Sequence, residues 1–315
     1  MYKYKVLLIY LFLFGLVACS DSHSSSISPT IPDENPTSQH ESNTDQNDEN
    51  TGLDQPEDSS PALPPSCCDG EIRIGSFNLE SGNADIDYLL NDIRKFGQGV
   101  DVWGFQEVAS VWQEPIVKGL GRLNEAEYRG IMSLTGNENR LMIAYNAERL
   151  HLDAFDELDE ININGRVRSP LVAMFTEIDS GLQFIFVNNH LYRGSESSRH
   201  EQARRLNDWG RVQNLPTIAV GDYNFDWELH TERRDMGFDL LTSDNVFVWV
   251  KPRDLIKTQC SGQFNSILDF IFLAGKAQSW QASSKIKFPE PDYCIRNPWG
   301  SDHRPVTANL LPRET

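Results

Sequence analysis

The sequence predicts an α/β domain of two mixed β-sheets packed together with helices outside, and three observations lead there. Short apolar runs rich in β-branched and aromatic residues recur from residue 71 to the C-terminus. Helical periodicities separate some of these runs, while others follow one another with no room for a helix. That mixture fits two mixed sheets better than a doubly wound parallel sheet.

In order, the strand-like runs are Ile72–Phe77, Val102–Phe105, Leu141–Tyr145, Leu171–Phe175, Phe184–Val187, Thr217–Val220, Ile267–Leu273 and Pro305–Leu310. Leu171–Phe175 and Phe184–Val187 are close enough to form a hairpin. Asp85–Phe96 reads as a helix with Ile86, Leu89, Leu90 and Ile93 on one face. Ser197–Val212 reads as another, gathering Ala203, Leu206 and Trp209. Residues 71–315, about 245 in all, suit one domain and show no internal repeat.

The N-terminus has a different character. Lys3 and Lys5 precede an apolar run, Val6–Val17, that is short for a permanent membrane span. Leu16-Val17-Ala18-Cys19 resembles a bacterial lipobox. The resemblance implies a signal peptide over 1–18, lipidation of Cys19 and a place in the bacterial cell envelope. Two or three acyl chains would anchor the protein stably. Ser20 next to the cysteine is compatible with outer-membrane export, the leaflet staying open. An ordinary signal peptide with an incidental Cys19 is the alternative. Residues 19–70 read as a disordered acidic tether: eleven Asp or Glu, no Lys or Arg, and many Ser, Pro, Asn and Thr. Fifty such residues reach about 40 Å by random-coil scaling.

Without signal and tether the domain carries a net charge of −9. That weakens a nucleic-acid reading, although a bound metal ion supplies local positive charge. Cys67, Cys68, Cys260 and Cys294 remain, and export permits disulfides. Of the three pairings available, Cys260–Cys294 is favoured because both flank the last strands. A thiol nucleophile lacks an adjacent base motif.

Polar and ionisable residues sit where the apolar runs end. Asn78 follows the first run, Gln106 and Glu107 the second, and Asn188-Asn189-His190 the fifth. Gly221-Asp222-Tyr223-Asn224 follows the sixth, Asp269 interrupts the seventh, and Ser301-Asp302-His303 precedes the last. Singly, each has a structural explanation such as a turn cap or a hydrogen-bonded core histidine. Together they converge on a site. His23 and His40 fall in the tether, and His151, His200 and His230 in polar or charged stretches. Arg199 reads as an exposed helical arginine, with phosphate binding as the alternative.

The ordered set SFNLE, FQEV, NNHL, GDYN, LDF and SDH resembles the endonuclease/exonuclease/phosphatase superfamily, from residue 76 to residue 303. The resemblance implies a four-layer α/β/β/α sandwich and a metal-dependent phosphoester hydrolase acting as a phosphodiesterase, nuclease or phosphatase. It implies Mg²⁺, with Mn²⁺ or Ca²⁺ as alternatives, at Asn78, Glu107 and Asp302; a hard cation prefers such oxygen ligands. It pairs Asp269 with His303, gives Asp222 the attacking water, sets Asn224 beside it, and places His190 on the opposite side of the phosphate. Either Asp222 or His303 could be the general base.

Departures narrow the substrate. Ser266–Phe270 lacks the inositol-phosphatase pattern, and Asn265-Ser266 does not match the apurinic endonucleases. Ala109 and Ser110 stand where pancreatic-type enzymes place a DNA-contacting arginine. Trp112, Trp209, Trp227 and Trp299 are candidates to line a lipid or nucleobase site, or to pack the core. The partners implied are a nucleic acid, a nucleotide or a phospholipid headgroup, with a membrane reached through Cys19 and the protein a monomer. The alternatives are a sphingomyelinase-like phospholipid phosphodiesterase and a catalytically silent binding module of the same fold.

Overall fold

Strand β1 (Ile72–Asn78) begins the fold, in a computed structural model that describes residues 70–165, 168–296 and 298–313. The signal peptide, Cys19, the tether, Cys67 and Cys68 lie outside the described residues. Helix α1 (Ile86–Arg94) follows, then β2 (Val102–Val108), α2 (Gln113–Asn124), β3 (Tyr128–Met132), β4 (Arg140–Asn146) and β5 (Leu150–Glu157). Next come β6 (Leu171–Glu177), β7 (Gln183–His190), α3 (Glu196–Arg211), β8 (Thr217–Glu228) and α4 (Met236–Thr242). The chain ends with β9 (Phe247–Trp249), β10 (Ser266–Ala274), β11 (Gln281–Ile286), α5 (Tyr293–Arg296) and β12 (Val306–Leu311).

The strands form two mixed six-stranded sheets, ordered β11-β12-β1-β2-β4-β3 and β5-β6-β7-β8-β10-β9. Only β1–β2 and β7–β8 pair in parallel; the other pairs are antiparallel, including the expected β6–β7 hairpin. Helices flank the sheets, giving the α/β sandwich that the sequence predicts. The α1 helix starts where the Asp85 carboxylate accepts the amides of Asp87 and Tyr88. Its Leu89, Leu90 and Ile93 then pack with Phe77, Trp103 and Phe105 on the outer face of the first sheet.

The sequence reading missed β3, β5, β9 and β11, which are the four sheet edges. An edge strand is covered less, so its residues need not be apolar. His151, Asp153 and Asp156 in β5 and Ser283 and Lys285 in β11 are exposed or half-buried. It also missed α2, whose Pro115, Gly119 and Gly121 are poor helix formers, and the short α4 and α5. Pro115 is tolerated because it sits in the first turn.

Period-two alternation decides what faces the space between the sheets. Ile72, Ile74, Val102, Ile143, Ile218 and Val220 join one buried cluster there. The same parity carries Ser76, Asn78, Gln106, Asn188, Asp222 and Asp269 inward at the other end. Gly104 permits the close approach of the sheets: an added Cβ would lie 2.5 Å from Val220 and 3.0 Å from Asn188 Oδ1. Beneath the site, Gln106 Nε2 donates to Asn188 Oδ1 at 2.7 Å, and Asn188 Nδ2 donates to the Phe105 and Met142 carbonyls. These buried amides tie β2 to β7 across the sandwich.

Candidate active site

Three departures from regular strand geometry build the site. In β2, Gln106 and Glu107 together oppose Leu141 of β4, a bulge with Glu107 at φ 51°. The extra residue keeps Gln106 inside while Glu107 reaches the cleft. Between β8 and β10 the register jumps from the Asp269–Asp222 pair to the Ile267–Trp227 pair, and Asn224 and Asp226 take positive φ. After β1, Glu80 does the same at φ 49°. Left-handed backbone is costly for residues other than glycine, and here it recurs beside one cleft.

The cleft has a volume of about 340 Å³, and Glu107, His190, Asp222, Asn224, Asp302 and His303 all line it. His303 Nδ1 donates to Asp269 Oδ2 at 2.8 Å, leaving Nε2 3.8 Å from Asp222 Oδ2 and 3.7 Å from Asp302 Oδ1. Asp269 is fixed in turn by its amide, which donates to Thr258 Oγ1. Asp222 accepts the Asn224 amide and the Asn78 side-chain amide, at 3.0 and 3.1 Å. His190 Nε2 stands 3.4 Å from Asp222 and 3.8 Å from Glu107. The structure thus gathers all eight residues singled out in the domain.

Burial pushes the Asp222 carboxyl up to about 7, with Asp269 and Glu107 adding to the effect and His303 opposing it. Burial disfavours a charged His303, yet Asp269, Asp222 and Asp302 outweigh it and raise the ring to about 10. His190 is held well below its ordinary value by burial, Arg168, His303 and Arg193. One imidazole is therefore charged and the other neutral at pH 7.

The disulfide expected between Cys260 and Cys294 is present. It braces the loop before β12, where the Cys260 amide donates to the Asp302 carbonyl at 2.6 Å. Ser301 Oγ donates to the Asn78 carbonyl at 2.6 Å and accepts the His303 amide at 2.9 Å, joining this loop to β1.

Sequence reasoning missed Glu80, Arg168, Tyr192 and Arg193, which also line the cleft. Arg193 lies three residues after His190, a spacing that offered a signal. Arg168 offered none, because the β6–β7 pairing brings it in. Arg199 corrects another expectation. It is buried, ion-paired to Asp235, and donates to the Tyr192 and Arg193 carbonyls at 3.1 and 3.2 Å. It holds the loop behind the cleft and does not line the cleft itself. Trp112, Trp209, Trp227 and Trp299 do not line it either.

Glu80, Glu107, Asp222 and Asp302 put four carboxylates on one cleft, with Arg168 and Arg193 as its only arginines among the described residues. That donor set suits a hard cation. Asp222, Asp269 and His303 also offer ligand atoms within 4.8 Å of one another. The His303–Asp269 hydrogen bond and the charged ring make that trio a poor metal nest. The oxygens of Glu107 and Asp302 fit better. Asn78 now turns its amide nitrogen toward Glu107 and Asp222, so it would join them only after its amide turns over.

A two-sheet sandwich with buried carboxylates and imidazoles at its strand ends has the architecture of a phosphoesterase. Residues 75–303 match the Endonuclease/Exonuclease/phosphatase family, and the chain belongs to that family. The endonuclease/exonuclease/phosphatase from Bacteroides vulgatus shares the fold with a TM-score of 0.61 and 18% identity, over 77% of this chain and 99% of that one. The mannosyl-6-phosphatase of Bacteroides thetaiotaomicron gives 0.55 and 20%, over 76% and 99%. The human Nocturnin catalytic domain with bound sulfate gives 0.54 and 16%, over 76% and 94%. Comparison with curated protein sequences found no match.

Proposed function

We propose that this protein is a divalent-metal-dependent phosphoesterase, with Mg²⁺ as its ion and Mn²⁺ or Ca²⁺ as substitutes. The observation that carries the reading is the His303–Asp269 pair facing Asp222, with Glu107 and Asn78 beside them in one cleft. Glu107 and Asp302, with Asn78, would hold the ion, which when bound polarises a phosphoryl oxygen and steadies the leaving oxygen. Asp222 takes the proton of the attacking water, and the Asn224 amide fixes that carboxylate. His303, oriented by Asp269, offers Nε2–H to a phosphoryl oxygen. His190 donates from the other side of Asp222. The water oxygen bonds to phosphorus as the ester P–O bond breaks, and the departing alkoxide takes a proton from solvent while Asp222 returns its own to solvent.

The test is turnover of p-nitrophenyl phosphate, bis-p-nitrophenyl phosphate, plasmid DNA and sphingomyelin liposomes with Mg²⁺, Mn²⁺ or Ca²⁺, against a chelator. Activity on the favoured substrate falls at least about a hundredfold in His303→Ala, the lower range for losing a positioned proton donor. No turnover with any ion would sink the reading. The Leu16–Cys19 context further supports a lipid-anchored envelope protein. Acyl labelling that persists in Cys19→Ser would refute the anchor.

A further inference from the structure

Arg168 donates Nε to the Asn139 carbonyl at 2.6 Å, which fixes the guanidinium at the cleft. Its terminal nitrogens meet no protein acceptor, and neither Arg168 nor Arg193 forms an ion pair among the described residues. Other buried or half-buried arginines are held by acids or carbonyls: Arg149 by Asp101 and Glu177, Arg199 by Asp235, and Arg304 by the Phe288, Lys257 and Glu290 carbonyls. Glu107 and Asp222 act on Arg168 from beyond ion-pair distance, so both guanidiniums keep donors available to a ligand in the cleft.

Three of the four carboxylates stand on the first sheet's side of the cleft, while Asp222 shares the second sheet's side with both arginines. Glu80 follows β1, Glu107 sits in the β2 bulge, and Asp302 lies in the loop before β12, all three on the first sheet. Arg168 precedes β6 and Arg193 follows β7, both strands of the second sheet, and both arginines act electrostatically on His190, which stands 3.4 Å from Asp222. A ligand there must offer an anion to the arginines while one of its oxygens faces the cation side.

We propose that the substrate is a small phosphomonoester, bound as its dianion by Arg168 and Arg193; this rests on the phosphoesterase reading. A phosphomonoester carries nearly two charges at neutral pH and three non-bridging oxygens. One oxygen serves the cation side and two remain for the two guanidiniums, which are suited to phosphate oxygens. A diester has one charge and two such oxygens, and must fit alcohols on both sides. The cleft volume of about 340 Å³ is at the small end of ligand sites, enough for a phosphoryl group and one alcohol of modest size. The domain's net charge of −9 opposes a polyanion such as DNA, whose binding rests largely on contacts from cationic residues.

The test compares p-nitrophenyl phosphate with bis-p-nitrophenyl phosphate, which share a leaving group, in wild type, Arg168→Met and Arg193→Met. Wild type has the higher kcat/KM on the monoester. Each methionine variant loses roughly tenfold or more on the monoester, the range for a lost charge-assisted hydrogen bond, and far less on the diester. Inorganic phosphate, measured by calorimetry without turnover, binds more weakly by a similar factor. Arg168→Lys keeps the charge and restores part of the loss, which separates recognition from loop packing at Asn139. Equal losses on both esters, a wild-type preference for the diester, or unchanged phosphate affinity would each overturn the proposal. No turnover of either ester by wild type with any ion overturns the phosphoesterase reading instead.

Discussion

At the end of the sandwich where β1 and β2 begin, the buried Asp101 carboxylate accepts the Arg73 amide at 2.8 Å and pairs with Arg149 at 3.2 Å. Arg149 also reaches Glu177 at 3.6 Å, at the far end of β6. At the opposite end, where β1 and β2 finish, Glu107, Asp222, Asp269 and Asp302 share His303 and the neutral His190. Both clusters bury carboxylates at strand ends on the same sheets. The first encloses an arginine between two acids, so its charges are largely matched by protein. The second leaves negative charge and open hydrogen-bonding capacity facing a cleft. Burial alone therefore does not mark a functional site; the mismatch that only a ligand can satisfy does.

The largest expected effect breaks the open cluster. Asp222→Asn lowers phosphoesterase activity between about a hundredfold and ten-thousandfold, the range for a general base. Its thermal midpoint is no lower than that of wild type, because a buried carboxylate among other acids is removed. A clear fall in midpoint would show that the cleft charges are structural. Arg149→Met tests the closed cluster. It leaves Asp101 and Glu177 without their shared cation and costs about 3 kcal/mol in urea unfolding at pH 7. Activity per folded molecule stays within about twofold, since the change lies at the other end of the strands. A large loss of activity with retained fold would erase the distinction between the two ends.

That distinction was partly legible in the sequence. Asn78, Glu107, His190, Asp222 and Asp269 sit inside or just after apolar runs and His303 just before one, and a β-strand delivers successive inner-face residues by parity. The inner strands were read for the same reason, since covered strands are apolar on both faces. The edges β3, β5, β9 and β11 were not read, because water covers one side of them. Glu80 escaped because a left-handed turn aims it at the cleft, and Arg168 because the β6–β7 pairing carries it there. Asp101 and Arg149 fall outside the apolar runs, and their pairing needs the fold to bring residues 73, 101 and 149 together. Local pattern reports which face a residue takes, while partners distant in sequence decide whether its charge is spent.

The smallest effect is a pH signature of the closed cluster. Burial lifts the Asp101 carboxyl to about 6 from 3.8, although the Arg73 amide and the Arg149 and Arg73 charges pull the other way. A folded-state pKa above the unfolded one means that folding favours the protonated acid. Its contribution to stability is therefore full below about pH 3.8 and is lost as pH rises through 6. Between pH 4.5 and pH 7 this amounts to about 2 kcal/mol by linkage. Other carboxylates titrate in the same window, so the quantity to measure is the difference between wild type and Asp101→Asn in urea unfolding at both pH values. An asparagine still accepts the Arg73 amide and carries no charge to bury. The wild type should lose about 2 kcal/mol more than the variant on going from pH 4.5 to pH 7. Parallel losses would mean that Arg149 fully compensates the buried Asp101 charge, and the closed end would then carry no electrostatic cost for keeping that carboxylate.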